Sequence, residues 1–169
     1  MKLKRLLSVL DVCACTADPE LDIRDISFDS RTTQPGDLFA AVCGYESDGH
    51  RFIGAAVERG AAVVLCQKRP EVDIPYILVA DSRLALSRIC CEFFDNPSRE
   101  LIMIGVTGTN GKTTVTTLIK HMLEQCLHTK VGLIGTIQNM IGDEILHTER
   151  TTPESFELQK LFADMRDAG

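Results

Sequence analysis

No apolar run in the 169-residue chain approaches the roughly 20 residues needed to cross a bilayer, so no membrane insertion is expected. Basic residues are not in excess. Lys and Arg number 18 against 24 Asp and Glu, a net charge of −6, which argues against a general nucleic-acid binder. Anionic ligands stay possible, because backbone N–H groups and one or two cations suffice for a phosphate. There is no C-x-x-C pair: seven cysteines, an odd number, stand at 13, 15, 43, 66, 90, 91 and 126. That pattern fits neither a disulfide framework nor a zinc site, and predicts mostly buried, reduced thiols in a cytoplasmic protein. His121, His128 and His147 lack metal-ligand spacing. No nucleophile triad, paired carboxylates, internal repeat or low-complexity segment stands out. The opening MKLKRLLSVLDV is unlike a signal peptide, since Asp11 breaks its apolar stretch. Leu3, Leu6, Leu7 and Leu10 instead predict one face of an amphipathic helix.

Hydrophobic residues make up 44% of the chain and charged residues 25%, ordinary for a globular protein. Two unequal parts are expected, residues 1–97 and 98–169. In the first, residues 23–28 read as a strand, 38–44 as an apolar strand, 49–59 as a helix ended by Gly60, and 61–66 and 76–79 as strands. Residues 82–94 read as a helix with Leu84, Leu86, Ile89 and Phe93 as its apolar face. Strands alternating with helices imply an α/β domain. The breakers Asp95, Asn96, Pro97 and Ser98 mark the linker. In the second part a buried strand over 101–106 leads into a glycine-rich loop and a helix over 112–127. A strand over 131–137 and a hairpin over 139–149 turning at Gly142-Asp143 follow. A last helix runs to Asp167, with Thr152 as N-cap and Pro153 in its first position. This is the opening of a doubly wound parallel sheet, with the next strand expected after residue 169.

The segment Gly105-Val-Thr-Gly-Thr-Asn-Gly-Lys-Thr-Thr114 carries the strongest chemical signal. A phosphate loop needs a strand before it and a helix after it. Gly108 and Gly111 open backbone conformations closed to other residues and let phosphate oxygens approach. Gly108, Thr109, Asn110, Gly111, Lys112, Thr113 and Thr114 supply the N–H nest and the start of the helix. Lys112 is a mobile cation for terminal phosphates, and the Thr113 hydroxyl is a ligand for a bridging magnesium ion. The usual G-x-x-x-x-G-K-[ST] pattern is displaced by one, since Val106 stands where a glycine is usual and Gly105 precedes it. A dinucleotide fingerprint fits worse, because the glycines fall at 105, 108 and 111.

T-G-T-N-G-K-T-T, residues 107–114, resembles the ATP loop of the Mur ligase family. Asp29-Ser30-Arg31, Pro35-Gly36-Asp37-Leu38-Phe39, Gly44, Asp48-Gly49-His50 and Phe52-Ile53 resemble its N-terminal UDP-binding domain. Gly-Thr-Asn-Gly-Lys, Val131 to Thr136 and Arg150-Thr-Thr-Pro-Glu154 are more like the MurE branch than the MurF branch. The resemblance runs from about residue 25 to 169 and keeps the family's motif order. It implies ATP and Mg2+ as cofactors and a UDP-N-acetylmuramoyl-dipeptide as substrate. It also implies transfer of a phosphoryl group to a carboxylate, then displacement by an amine of meso-diaminopimelate or L-lysine.

On that resemblance Lys112 stabilises the transferring phosphoryl group, and Phe28 and Ser30 contact the uridine. Tyr45, Glu46 and Ser47 lie against the same nucleotide, and Thr151 and Thr152 hold the muramoyl-peptide end. Arg150 stands where relatives often have asparagine. Asp37 reads as a turn residue, His50 as a structural hydrogen-bonding histidine, and Ser30 as either a contact or turn chemistry. The family's acidic magnesium ligand, modified lysine and amino-acid-binding domain are expected beyond residue 169, so this chain alone is expected to lack ligase activity; a monomer is expected as well. The alternatives are a MurF-type ligase and a non-catalytic protein that binds a nucleotide or UDP-sugar.

Overall fold

The computed structural model describes residues 1–44, 47–146 and 153–169. The chain divides into two compact units, Met1–Phe93 and Phe94–Gly169. Asp95 and Asn96 both take left-handed backbone conformations, and Pro97 opens a 3-10 turn, Pro97–Arg99, so no element continues through the division.

In the first unit five strands form one sheet in the order β1-β5-β4-β3-β2. They are β1 (Val12–Cys15), β2 (Ile26–Ser27), β3 (Leu38–Ala40), β4 (Val63–Cys66) and β5 (Tyr76–Val79). Strands β2 to β5 run parallel, while β1 pairs antiparallel with β5. Three helices accompany them: α1 (Leu3–Leu7), α2 (Ile53–Glu58, entered through a 3-10 turn at Gly49–Phe52) and α3 (Ser82–Phe93). Every residue of β4 is buried, as a strand covered on both faces requires. Period-2 alternation then sorts the core. Phe39, Val64 and Cys66 pack with Ile53 and Ala56 of α2 on one face. Leu38, Ala40, Val63, Leu65 and Ile77 alternate to the other, where α3 lies against β4 and α1 against α3. Leu3, Leu6, Leu86 and Ile89 are buried there. Truncating a side chain such as Phe39 to alanine would cost about 3–5 kcal/mol.

The expected strand over 23–28 contracts to β2, and that over 38–44 to β3. Strand β1 follows Leu10 with every residue exposed, and this edge position hid it from apolar patterning. On α3, Leu84 faces solvent, while Ala85 and Cys90 take core positions. The thiols correct their expectation too: only Cys66 and Cys90 are buried, Cys91 is half-buried, and Cys13, Cys15, Cys43 and Cys126 are exposed. The cause is their placement on an edge strand, a loop and an uncovered helix face.

The second unit holds α4 (Lys112–Leu127), β6 (Gly132–Ile134), β7 (Asn139–Ile141), β8 (Glu144–Leu146) and α5 (Ser155–Asp167). The strands form an antiparallel meander, β6-β7-β8, turning at Gly142 as expected. Glu124 accepts two 2.7 Å bonds from buried Lys120 and one from the Val131 N–H at 3.2 Å, tying the end of α4 to the approach to β6. Helix α5 is capped by Glu154, whose side chain takes the N–H of Glu157 while the Glu157 carboxylate takes the N–H of Glu154 at 2.8 Å. This corrects the expected N-cap at Thr152, and Pro153 precedes the helix.

Residues 101–106 form no strand, another correction, and Ile102 is 96% exposed. A strand exists only as part of a ladder, and among the described residues this apolar segment has no such partner. Leu118 and Met122 of α4 are exposed likewise.

Candidate functional site

The glycine-rich loop meets α4 at Gly111, the N-cap residue, whose φ is 79°. Among the described residues no side chain caps this helix, and its first turn holds no acidic residue. The first intrahelical bond is from the Val115 N–H to the Gly111 carbonyl at 2.9 Å, so the N–H groups of Lys112, Thr113 and Thr114 have no partner within the helix. An uncapped N-terminus without nearby carboxylates is a place for an anion. Gly108, with φ 150°, bends the loop where a side chain would be strained. Gly108, Thr109, Asn110 and Gly111 are exposed, Lys112 and Thr113 half-buried, and Thr114 exposed. The Lys112 ammonium folds back over the loop, donating to the Gly108 carbonyl at 2.5 Å and the Thr109 carbonyl at 3.3 Å. One side chain rotation carries it from those carbonyls toward an anion at the helix end. Lys112, with the helix N–H groups, can bind terminal phosphates, and the Thr113 hydroxyl is of the right type for magnesium.

In the first unit the parallel strands all end at one edge, where open α/β sheets bind ligands. Phe28 and Ser30 follow β2, Ser47 lies beyond β3, Gln67 and Lys68 follow β4, and Ser82 and Arg83 start α3 beyond β5. The topology thus brings the expected residues Phe28, Ser30 and Ser47 to the same edge. Ser30 is buried, Phe28 half-buried and Ser47 exposed. The turn after β2 is made by Asp29, whose carboxylate accepts from the Arg31 N–H at 2.9 Å and binds the Arg31 guanidinium at 2.6 to 3.1 Å. Turn chemistry therefore belongs to Asp29. Thr33 bridges the Ser27 hydroxyl, 3.0 Å away, and the Asp29 carbonyl, 3.2 Å away.

The loop after β3 closes on itself. Gly44 N–H donates to the Ser47 carbonyl, and Gly49 N–H to the Val42 carbonyl, both at 2.9 Å. A Cβ at Gly49 would lie 2.6 Å from the Val42 oxygen, so only glycine lets these backbones meet. Asp48 accepts the His50 N–H at 3.0 Å and sits 2.6 Å from His50 Nδ1. On the ring's far side, the Gln67 N–H donates to Nε2 at 2.9 Å. An accepting Nε2 places the proton on Nδ1, so both nitrogens are used and the structural reading of His50 holds. The His50 N–H and ring hold the Asp48 carboxyl well below the usual carboxylate range. Cys43, Asp48 and His50 place donor atoms within 4.8 Å of one another, a grouping that could suggest a metal. The protonated Nδ1 offers no lone pair, however, and the Cys43 thiol, donating to Asp48 at 3.4 Å, is pushed up by loss of water and by that carboxylate.

Gln67, Lys68, Ser82 and Arg83 were not anticipated at this edge. Lys68 reaches Asp48 at 3.3 Å, Ser82 donates to the Gln67 side chain at 2.9 Å, and Arg83 donates to the Cys43 carbonyl at 3.3 Å. The available signal was positional, since each directly follows an apolar strand or begins the next helix. Tyr45, Glu46, Arg150, Thr151 and Thr152 lie outside the described residues.

Residues 22–94 match the Mur ligase family, catalytic domain, and residues 106–169 match the Mur ligase middle domain. The chain is 47% identical to the UDP-N-acetylmuramoyl-L-alanyl-D-glutamate--2,6-diaminopimelate ligase of Clostridium tetani, covering 100% of this chain and 36% of that protein. It is 42% identical to the ligase of the same name from Bacteroides fragilis, covering 100% and 35%. The chain thus spans about a third of the length of the curated relatives it matches. A solved structure of a ligase of that name superposes with a TM-score of 0.76 at 23% identity, covering 100% of this chain and 34% of that one. MurF from Acinetobacter baumannii superposes with a TM-score of 0.67 at 22% identity, covering 99% and 33%. Both share the fold.

Proposed function

The chain belongs to the Mur ligase family, and on that premise we propose that it forms the UDP-substrate domain and the start of the ATP-binding domain of a ligase of peptidoglycan precursor synthesis. The reaction joins 2,6-diaminopimelate to UDP-N-acetylmuramoyl-L-alanyl-D-glutamate, the pair named in its relatives. The single observation that carries it is the uncapped N-terminus of α4 beneath Lys112.

ATP binds with its phosphates at the Gly108–Thr114 loop, where the helix N–H groups and Lys112 take the charge that builds on the transferring phosphoryl group. The Thr113 hydroxyl would hold a magnesium ion in part, which would supply positive charge against the phosphates there. The phosphoryl group passes to the D-glutamyl carboxylate, and the amine of diaminopimelate displaces phosphate from the acyl phosphate. Phe28, Ser30 and Ser47, with Tyr45 and Glu46, hold the uridine nucleotide at the sheet edge, and Thr151 and Thr152 hold the peptide end. A cytoplasmic location belongs to the same reading. This chain by itself binds substrate and does not complete ligation.

Calorimetric titration tests the reading. The 169-residue chain should bind the UDP-muramoyl-dipeptide more tightly than the UDP-muramoyl-tripeptide, and the reverse order would point to the MurF branch. Substrate-dependent ADP release by this chain alone would refute its inactivity.

A further inference from the structure

His50 joins two segments of the proposed substrate edge through a ring whose two nitrogens have opposite tasks. Nδ1 donates to Asp48 at 2.6 Å, on the loop that carries Ser47. Nε2 accepts from the backbone N–H of Gln67 at 2.9 Å, at the end of β4. A backbone amide cannot turn round to become an acceptor. The ring can therefore serve both partners only as the neutral Nδ1–H tautomer.

We infer that His50 is a positioning residue that fastens Asp48 to the end of β4 only while it carries one proton, and that a second proton unfastens it and loosens the substrate edge. The inference rests on the reading of that edge as the UDP-substrate site. With Nε2 protonated, two N–H donors would face each other across 2.9 Å, so the ring must leave Gln67.

The surrounding charges allow this. The Asp48 carboxylate accepts from His50 and Lys68, and is held below the usual carboxylate range, so it stays anionic while a histidine titrates. The Cys43 thiol, 3.9 Å from Nδ1, keeps its proton, because it donates to Asp48 and is pushed up. Arg83 arrives from the start of α3 and binds the Cys43 carbonyl, and a guanidinium keeps its charge throughout this range of pH. Asp48 keeps its bond to a doubly protonated ring, so the bond that breaks is the one to Gln67.

The test uses the whole chain, labelled with 15N, in long-range 1H–15N spectra of the imidazole. At pH 8 His50 should show the Nδ1–H tautomer. On acidification from pH 8, the Gln67 amide should shift with the same midpoint as the His50 ring. In His50→Gln, which keeps an acceptor that cannot charge, the Gln67 amide should not titrate. Binding of the UDP-muramoyl-dipeptide should weaken about tenfold over the same titration in the native chain, the worth of roughly one hydrogen bond, and stay flat in His50→Gln. An Nε2–H tautomer at pH 8, a Gln67 amide indifferent to acid, or equal pH dependence in both proteins would overturn the inference. Absence of substrate binding at every pH would sink the substrate reading instead, while the tautomer and the Gln67 shift would still decide whether the fastening exists.

Discussion

Arg24 donates to one carboxylate oxygen of Asp37 through both Nε, at 3.0 Å, and a terminal guanidinium nitrogen, at 2.9 Å. The other oxygen accepts the Gln34 N–H at 2.8 Å, and the Asp37 carbonyl accepts the Ala62 N–H at 2.8 Å. Asp37 is 2% exposed. One residue thus ties together the approaches to β2, β3 and β4, the strands whose far ends form the candidate substrate edge.

Asp37→Ala leaves the Gln34 N–H and the Arg24 guanidinium without that acceptor. Breaking a buried ion pair from one side costs about 3–5 kcal/mol. The Arg24 side chain is half exposed and can recover water, so the expected loss is about 2 kcal/mol. Urea unfolding of the chain measures it, and a loss below about 0.5 kcal/mol would contradict the tie.

Two glycines in neighbouring elements should respond oppositely. Gly49→Ala drives a Cβ to 2.6 Å from the Val42 oxygen and 2.8 Å from the Val42 nitrogen, both backbone atoms that cannot step aside. It should destabilise by about 2 kcal/mol or more. Gly54→Ala, inside α2 with nothing within 4 Å of the new Cβ, should stabilise by about 0.5–1 kcal/mol. Thermal melts of the two variants give the comparison.

Lys112→Ala removes the ammonium that lies over Gly108 and Thr109. Binding of a fluorescent ATP analogue should fall about tenfold or more, as expected for loss of one charge-assisted phosphate contact. The circular dichroism spectrum should not change, because among the described residues the Lys112 ammonium donates only to the loop's own carbonyls. Unaltered affinity would remove the lysine from the nucleotide site.

The Glu124 carboxyl is lowered from its ordinary value, 4.5, first by the hydrogen bonds from Lys120. A lowered acid binds its proton more weakly folded than unfolded. Its stabilisation is therefore complete above about pH 4.5 and declines as the pH falls through the folded value. Glu124→Gln should be less stable than the native chain at pH 7, and the gap should close toward pH 3. Denaturation midpoints at three pH values test this, and a gap that widens in acid would reverse the sign.

Much of this protein is local in origin, and that part was legible in the sequence. Helix α4 has the expected bounds because the left-handed Gly111 starts it, no glycine or proline interrupts it, and the left-handed His128 ends it. Strand β5 and the turn at Gly142 follow from short-range patterning in the same way. The glycine-rich loop is contiguous, so the chemistry proposed for it could be argued from spacing alone. Strand existence is not local, because hydrogen-bonded partners come from elsewhere in the chain. That is why the apolar 101–106 segment forms no strand while the exposed β1 is one. The proposed substrate edge was only half visible for the same reason. Phe28 and Ser30 could be named from a motif, but Gln67 and His50 meet across 17 positions of sequence. Sequence by itself determined the helices, the turns and the glycine-rich loop, all set by bonds between near neighbours. Only the tertiary structure decided which strands pair, which thiols are buried and which tautomer His50 holds, since each depends on what the fold places opposite.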